Sequence, residues 1–426
     1  MQKRILLSAP ILSRSGYGEQ ARFALRALRS RPDLFDIYIS NLPWGHTGQV
    51  SISDEESTFI IKTIEKTAQY HHAGNTFDMS LQVTIPNEFQ RIAPVNVGYT
   101  AGIETTKVTP QWIAKSNEIV NRVITTSTHS QEVFENTKYD VQDQHGNPVP
   151  NWGLQIPIKA VSYPIRVNEP QELEIEFTTQ KNFLAVSQWG PRKNLENTIR
   201  WFVEEFHDDD DVGLILKTNS AADSIMDREF TARRLSTLLA PYTEKKCKIY
   251  FLHGEITEGN LAWLYTHPTM KALINIGHGE GFGLPLFEAA CCGLPLITTT
   301  WSGQLDFICK TNKKGKRVPR VASVAYDIVR LPPQMRQGPG ADQIFAEDAM
   351  WCEAKEASYK RTLRDVLAKE THYRKEAVVL RNHILETFTE ENQYREFVDF
   401  VIDKESAPEM IDWMEWNDEV QAPQEI

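Results

Sequence analysis

The sequence predicts an α/β protein built from two parallel-sheet domains. Three observations carry that expectation. Short β-rich runs alternate with segments of helical length, a pattern that favours parallel strands covered by helices on both faces. The alternation occurs twice, and Val161–Thr178 interrupts it with Tyr163-Pro164, Glu169-Pro170 and the acidic run Glu172–Glu176. The length of 426 residues allows two or three domains, each large enough for a core of its own.

In the first half, Arg4–Ser8 and Asp36–Ser40 read as strands, with a helix over Gln20–Arg29 between them. Leu81–Ile85, Val95–Gly98 and Arg122–Thr126 continue the set. Asp143–Gly153 is polar and rich in Gly, Pro and Asn, and reads as a loop leaving the first domain. The second half repeats the theme with strands at Phe183–Val186, Val212–Lys217, Lys248–Leu252, Ala272–Ile276 and Leu296–Thr299. Leu195–Phe206, Phe230–Leu239 and Glu258–Tyr265 are the helical segments between them. After about position 370 the pattern is helical and ends in an acidic tail, Asp412–Ile426, carrying Trp413 and Trp416.

Composition excludes several classes. With 46 Lys+Arg against 57 Asp+Glu the formal charge is −11, which argues against a protein that coats nucleic acid by bulk charge but allows a local basic patch. The 41% hydrophobic and 24% charged content excludes a mostly disordered chain. No apolar run approaches the roughly 18–20 residues needed to span a bilayer. The apolar stretch in Met-Gln-Lys-Arg-Ile-Leu-Leu-Ser-Ala-Pro is too short for a signal peptide and reads as a first strand. Five Cys, all beyond position 246 and without a Cys-x-x-Cys pair, indicate neither a disulfide framework nor a zinc site. The expectation is a cytoplasmic, reduced protein.

The most informative stretch is Ala272–Thr299: a strand, then Gly277-His278-Gly279-Glu280-Gly281-Phe282-Gly283-Leu284-Pro285, a helix carrying Glu288, and another strand. Four glycines in seven residues let the backbone approach a ligand closely. Pro285 suits the first helical position. The N–H groups around Gly283 and Leu284 would then face a phosphate at a helix N-terminus. Glu280 lies in the loop and Glu288 about one turn into the helix, so the two carboxylates have different tasks. Glu280 is near whatever sits at the phosphate end, and Glu288 can bond vicinal hydroxyls such as those of a ribose.

This stretch resembles the signature of the retaining GT-B glycosyltransferases of family 4, in which one Glu is followed eight positions later by a second inside EGFGLP-x-x-E-A. Val186-Ser187-Gln188-Trp189-Gly190-Pro191-Arg192-Lys193-Asn194 is similar to that family's segment supplying cations to the donor diphosphate. Lys193 falls on the phosphate-binding lysine, while Gln188 stands where the accompanying arginine usually is, which gives Arg192 a share of that role. Phe251–Ile256 resembles the base-binding loop and places Glu255 beside the base. Ser13-Arg14-Ser15-Gly16-Tyr17-Gly18-Glu19-Gln20 looks like the glycine-rich loop, with Gly16 and Gly18 facing the donor phosphates across the cleft. It also satisfies the Gly-x-Gly-x-x-Ala spacing of a dinucleotide fingerprint. Six residues separate Ala9 from Gly16, however, and Asp36 opens the second strand rather than closing it, which disfavours an NAD-dependent oxidoreductase.

The resemblance implies a GT-B fold: two Rossmann-like domains facing a central cleft, with a C-terminal helix crossing back to the first. The implied domains are an acceptor-side domain over 1–168, a nucleotide-sugar domain over 178–388, and a crossover helix with the acidic tail over 389–426. It implies retaining, metal-independent transfer of a sugar from a nucleotide diphospho-sugar to a hydroxyl, with no cofactor. Glu280 would stabilise or position the sugar. Arg192, Lys193, Glu255, Gly281, Phe282, Gly283, Leu284 and Glu288 would hold the donor. Relatives often place a His near Val97–Thr106, and none is present; Glu104 takes that place as a catalytic candidate, with Tyr99 and Thr100 on the acceptor side and Thr125–Ser130 lining the same cleft.

Asp208–Asp211 lies between a helix and a strand, so it reads as a solvated turn rather than a metal site, and the His residues show no metal-like spacing. Lys310–Arg320 carries six cations in eleven residues. Lys313, Lys314, Lys316 and Arg317 are therefore acceptor-side candidates for a polyanion, DNA included. Arg14–Leu28, and Pro86–Phe89 followed by Ala101–Thr106, also resemble glycosyltransferases of tailed bacteriophages. That resemblance implies acceptors such as hydroxymethylated pyrimidines in phage DNA, a virion protein or a host surface glycan, with the host cytoplasm as the location. A GT-B-shaped binding protein that has lost catalysis is the non-enzymatic alternative.

Overall fold

Strand β1 (Lys3–Ala9) buries Ile5, Leu7 and Ala9 on one face and Leu6 on the other, the pattern of a strand covered on both sides. It belongs to a computed structural model of the chain that describes residues 2–44, 48–50, 54–142, 145–337 and 340–403. Helix α1 (Gly16–Arg29) begins four residues before the expected Gln20, because the Ser15 side chain accepts from the Gly18 N–H and caps it. Strand β2 (Phe35–Asn41) follows, then α2 (Glu55–His72), which opens with a capping box between Asp54 and Ser57. Strand β3 (Met79–Val83) ends two residues before the expected boundary, since Pro86 opens a short 3₁₀ turn. The domain continues with β4 (Val95–Thr100), α3 (Pro110–Ile119), β5 (Arg122–Thr125) and α4 (Thr128–Asn136). The expected loop at Asp143–Gly153 is instead largely an antiparallel hairpin, β6 (Tyr139–Gln142) with β7 (Pro148–Trp152); Asp143 and Gln144 lie outside the described residues. Strand β8 (Ile158–Ala160) completes the sheet.

The second domain runs β9 (Lys181–Val186), α5 (Leu195–Glu205), β10 (Val212–Lys217), α6 (Ile225–Leu239), β11 (Lys248–Leu252) and α7 (Glu258–Thr266). Helix α6 starts five residues before the expected Phe230, because Ser224 caps it at Asp227. Next come β12 (Met270–Asn275), α8 (Leu284–Cys291), β13 (Leu296–Thr299) and α9 (Leu305–Ile308). The basic run forms a hairpin, β14 (Cys309–Thr311) against β15 (Arg317–Pro319). Strand β16 (Ala322–Val324) precedes a second hairpin, β17 (Tyr326–Arg330) with β18 (Met350–Ala354). Helices α10 (Glu356–Ala368), α11 (Glu370–Thr387) and α12 (Glu390–Val401) end the described chain. The acidic tail with Trp413 and Trp416 lies outside the described residues.

Each half forms a six-stranded, all-parallel sheet, ordered β2-β1-β3-β4-β5-β8 and β11-β10-β9-β12-β13-β16. In the second sheet the winding reverses between β9 and β12, so the loops after those strands meet at the carboxyl edge where such sheets bind ligands. Helix α12 returns to the first domain, where Phe23 packs on Tyr394 (6.0 Å) and Phe397 (5.2 Å). One apolar core crosses the boundary: Tyr163 touches Phe282, and Phe287 touches Phe307 and Phe388. The segment between β17 and β18 also reaches the first domain. It places Ile344 and Phe345 against the Val108–Trp112 cluster, and Lys107 pairs with Asp348 at 2.7 Å. Among the described residues no helix is long and apolar enough to cross a membrane.

Candidate active site

The loop after β12 is shaped by its own side chains. Asn275 closes the strand, accepts from the Gly277 N–H at 2.9 Å and donates to Glu280 Oε1 at 2.9 Å. Ser302, in the left-handed region at φ 67°, accepts from the Glu280 N–H at 2.8 Å and donates to Gln304. Glu280 is thus fixed at backbone and side chain and is only 5% exposed. Lys193 Nζ donates to both its oxygens at 2.7 Å, and Arg192 Nη1 reaches Oε2 at 3.2 Å. Burial alone would raise this carboxyl; the two cations and Asn275 outweigh it and hold it at about 2. Burial, with Arg192 alongside, pulls the Lys193 ammonium below its usual range against the attraction of Glu280.

Arg192 binds both domains. Its Nη1 donates to the Gly279 carbonyl at 2.7 Å and pairs with Glu104 of the first domain at 3.0 Å. The two candidate catalytic carboxylates, Glu104 and Glu280, therefore share one guanidinium. Around them the domains touch backbone to backbone. A Cβ on Gly279 would lie 2.7 Å from the Glu104 carbonyl, and one on Gly281 would lie 2.8 Å from that of Ala101. Two of the loop's glycines thus serve contact with the first domain. Gly283, at φ 97°, caps α8 without a side chain, which leaves the helix's first N–H groups, at Leu284, without a side-chain partner. Pro285 sits at the second position of α8 rather than the first.

Glu288 projects from α8 and accepts from Tyr265 at 3.1 Å. Burial lifts its carboxyl to about 7, with Glu19 and Glu258 adding repulsion. Glu255, after β11, pairs with Arg14 of the first domain at 2.8 Å and lies against Gly48. A Cβ on Gly16 would meet nothing within 4 Å, whereas one on Gly18 would strike the Ser13 carbonyl. The two glycines thus differ: Gly16 opens onto space at the start of α1, and Gly18 serves a tight turn. Asp36 is the second residue of β2 and binds Tyr38 and Lys66, away from the strand's carboxyl end, so the dinucleotide arrangement is absent.

Other candidates have internal roles. Phe282 is buried against Tyr163, Phe287 and Phe307, leaving only its backbone on the loop. Tyr99 packs on Phe23 and Phe397, and Thr100 bonds Tyr17 at 3.1 Å; both are fully buried. Arg317 is tethered to the Leu305 carbonyl, while Lys313, Lys314 and Lys316 stand exposed on a turn organised by Asn312. Gln188 donates to the Ser220 carbonyl at 3.0 Å, outside the Glu280 cluster. Sequence reasoning missed Arg14, Asn275, Ser302 and Tyr265. Only Asn275, a strand-ending Asn two residues before a glycine, carried a local signal. Among the described residues no group of three or more His, Cys, Asp or Glu side chains is placed to hold a metal ion.

No family model matches the chain, and no curated protein does. Solved structures do match. Sucrose-phosphate synthase from Thermosynechococcus elongatus superposes with a TM-score of 0.60 at 14% identity, over 95% of this chain and 100% of that one. HepE of Anabaena, solved in complex with UDP and glucose, gives 0.57 at 11% identity over 94% and 99%. A glycosyltransferase from Rickettsia africae ESF-5 gives 0.54 at 13% identity over 94% and 98%. The fold is GT-B. Both Rossmann-like halves and the returning C-terminal helix are accounted for by that architecture, at identities that show the fold alone.

Proposed function

We propose that the chain is a glycosyltransferase that moves a sugar from a nucleoside diphospho-sugar to a hydroxyl acceptor, with retention and without a divalent metal. One observation carries the reading: a buried carboxylate, Glu280, held under two cations at the switch point of the second sheet, beside an uncapped helix N-terminus and against the first domain. HepE, of the same fold, was crystallised with UDP-glucose, which supports a donor of that class. The base would lie by Glu255 and the ribose by Glu288.

As the bond from the anomeric carbon to the diphosphate breaks, Lys193, Arg192 and the Gly283–Leu284 turn would take the developing negative charge. That is the task a divalent ion performs elsewhere. Glu280 would steady the cationic sugar. The acceptor oxygen would bond to the same face that the diphosphate leaves, and the acceptor proton would pass to the departing phosphate oxygen. The close contact between the 101–104 and 279–281 segments would help to keep water from the reacting carbon.

The exposed Lys313, Lys314 and Lys316 favour an anionic acceptor, either an acidic glycan or DNA with hydroxymethylated bases. Salt-sensitive binding to duplex DNA separates the two, because phosphate contacts impose a steep salt slope. The test of the whole reading is incubation with UDP-, GDP- and ADP-sugars, scored for nucleoside diphosphate release in the presence of chelator. Release that persists in chelator and is lost in Glu280→Ala supports it. Binding of the nucleotide sugar without release in any acceptor mixture would identify a binding protein instead.

A further inference from the structure

We infer that Lys217 binds a phosphate of the nucleotide, an inference that rests on the donor reading above. Lys217 is the last residue of β10, in register with Val186 of β9 on one side and Leu252 of β11 on the other. It stands at the carboxyl edge between the strand leading to Arg192 and Lys193 and the strand leading to Glu255. A nucleotide reaching from one to the other passes the end of β10.

The Lys217 ammonium makes no hydrogen bond or ion pair with any described residue, and burial pulls it below the usual lysine range. The carboxylates that face it are Asp223 and Glu255. Glu255 is taken by Arg14 at 2.8 Å, and Asp223 lies over Gly254, where a Cβ would be 2.8 Å from its Oδ1. Asp223 and Glu255 thus attract the half-buried ammonium only from beyond hydrogen-bonding distance, and an arriving anion would give it the direct partner it lacks.

The charges at the neighbouring strand end point the same way. Arg192 and Lys193 are matched by Glu104 and Glu280, two cations against two carboxylates, so this cluster alone meets a diphosphate with no net charge. Gln188 adds none. The Ser187 N–H, next to Gln188, donates to the Lys217 carbonyl at 3.2 Å, so the uncommitted cation stands on the adjacent strand at the level of that residue.

The test is calorimetric titration of wild type, Lys217→Met and Lys217→Arg with uridine, UMP and UDP, and with the guanosine or adenosine series if UDP does not bind. Met keeps the unbranched stem without the ammonium, and unfolding curves check that each variant is folded. The expected result is that Lys217→Met weakens the monophosphate and diphosphate about tenfold or more, leaves the bare nucleoside unchanged, and is largely rescued in Lys217→Arg. The salt slope of diphosphate binding should fall in the Met variant as well. Equal diphosphate affinity in wild type and Lys217→Met, or an equal loss with the nucleoside, overturns the inference while leaving the donor reading intact. Failure of wild type to bind any nucleoside diphosphate removes both.

Discussion

Lys193 Nζ sits 2.7 Å from each carboxylate oxygen of Glu280, a symmetrical pair whose carboxylate is buried and whose lysine is largely so. Removing one member of such a pair leaves the other uncompensated. Lys193→Ala should lower turnover roughly 10²–10³-fold and cost about 3–5 kcal/mol of stability. The sign of the pH dependence follows from the depressed carboxyl. Its contribution is fully present above the unfolded value near ~4.3 and is lost as pH falls toward about 2. Denaturant unfolding of wild type and Lys193→Ala should therefore differ most above pH 4.3 and converge toward pH 2.

Glu288 titrates in the opposite sense. Its folded carboxyl lies at about 7, above the unfolded value, so folding binds a proton there. The stabilisation is fully present below about pH 4.3 and disappears as pH rises through 7. Glu288→Gln should melt at nearly constant temperature between pH 5 and 8, where wild type should decline. Parallel slopes for the two proteins would reject this.

Gly281→Ala tests whether the domain contact matters to the reaction. The new Cβ would sit 2.8 Å from the Ala101 carbonyl, so the two segments must separate. A displacement of about 1 Å can cost on the order of 10²-fold in rate. Turnover should fall by at least about tenfold, while nucleoside diphosphate affinity should hold within about threefold.

Lys313→Glu/Lys314→Glu/Lys316→Glu places acid on a turn that touches nothing else of the site. Donor affinity should be unchanged, and transfer to an anionic acceptor should fall at low salt and rise with added salt, the reverse of wild type. A steady-state series at increasing salt reads this directly.

Several strands were legible from short runs of apolar and β-branched residues: Val212–Lys217, Lys248–Leu252 and Leu296–Thr299 have the same limits in sequence and structure. Helix starts were less so, since Ser15 and Ser224 act through caps that lie ahead of any apolar period. The glycine-rich loop announced that something approaches closely. It could not say that at Gly279 and Gly281 the approaching group is the first domain's own backbone. Glu104 meeting Arg192, and Arg14 meeting Glu255, join residues far apart along the chain, and no local pattern encodes such pairs.

The rings of Phe388, Phe287, Phe282, Tyr163, Phe23 and Phe397 belong to one core that both domains share with the returning helix. This spine ties the two lobes together along one edge. Parting them would return those rings to water, so the shared aromatic seam opposes separation where the phenyl rings interlock.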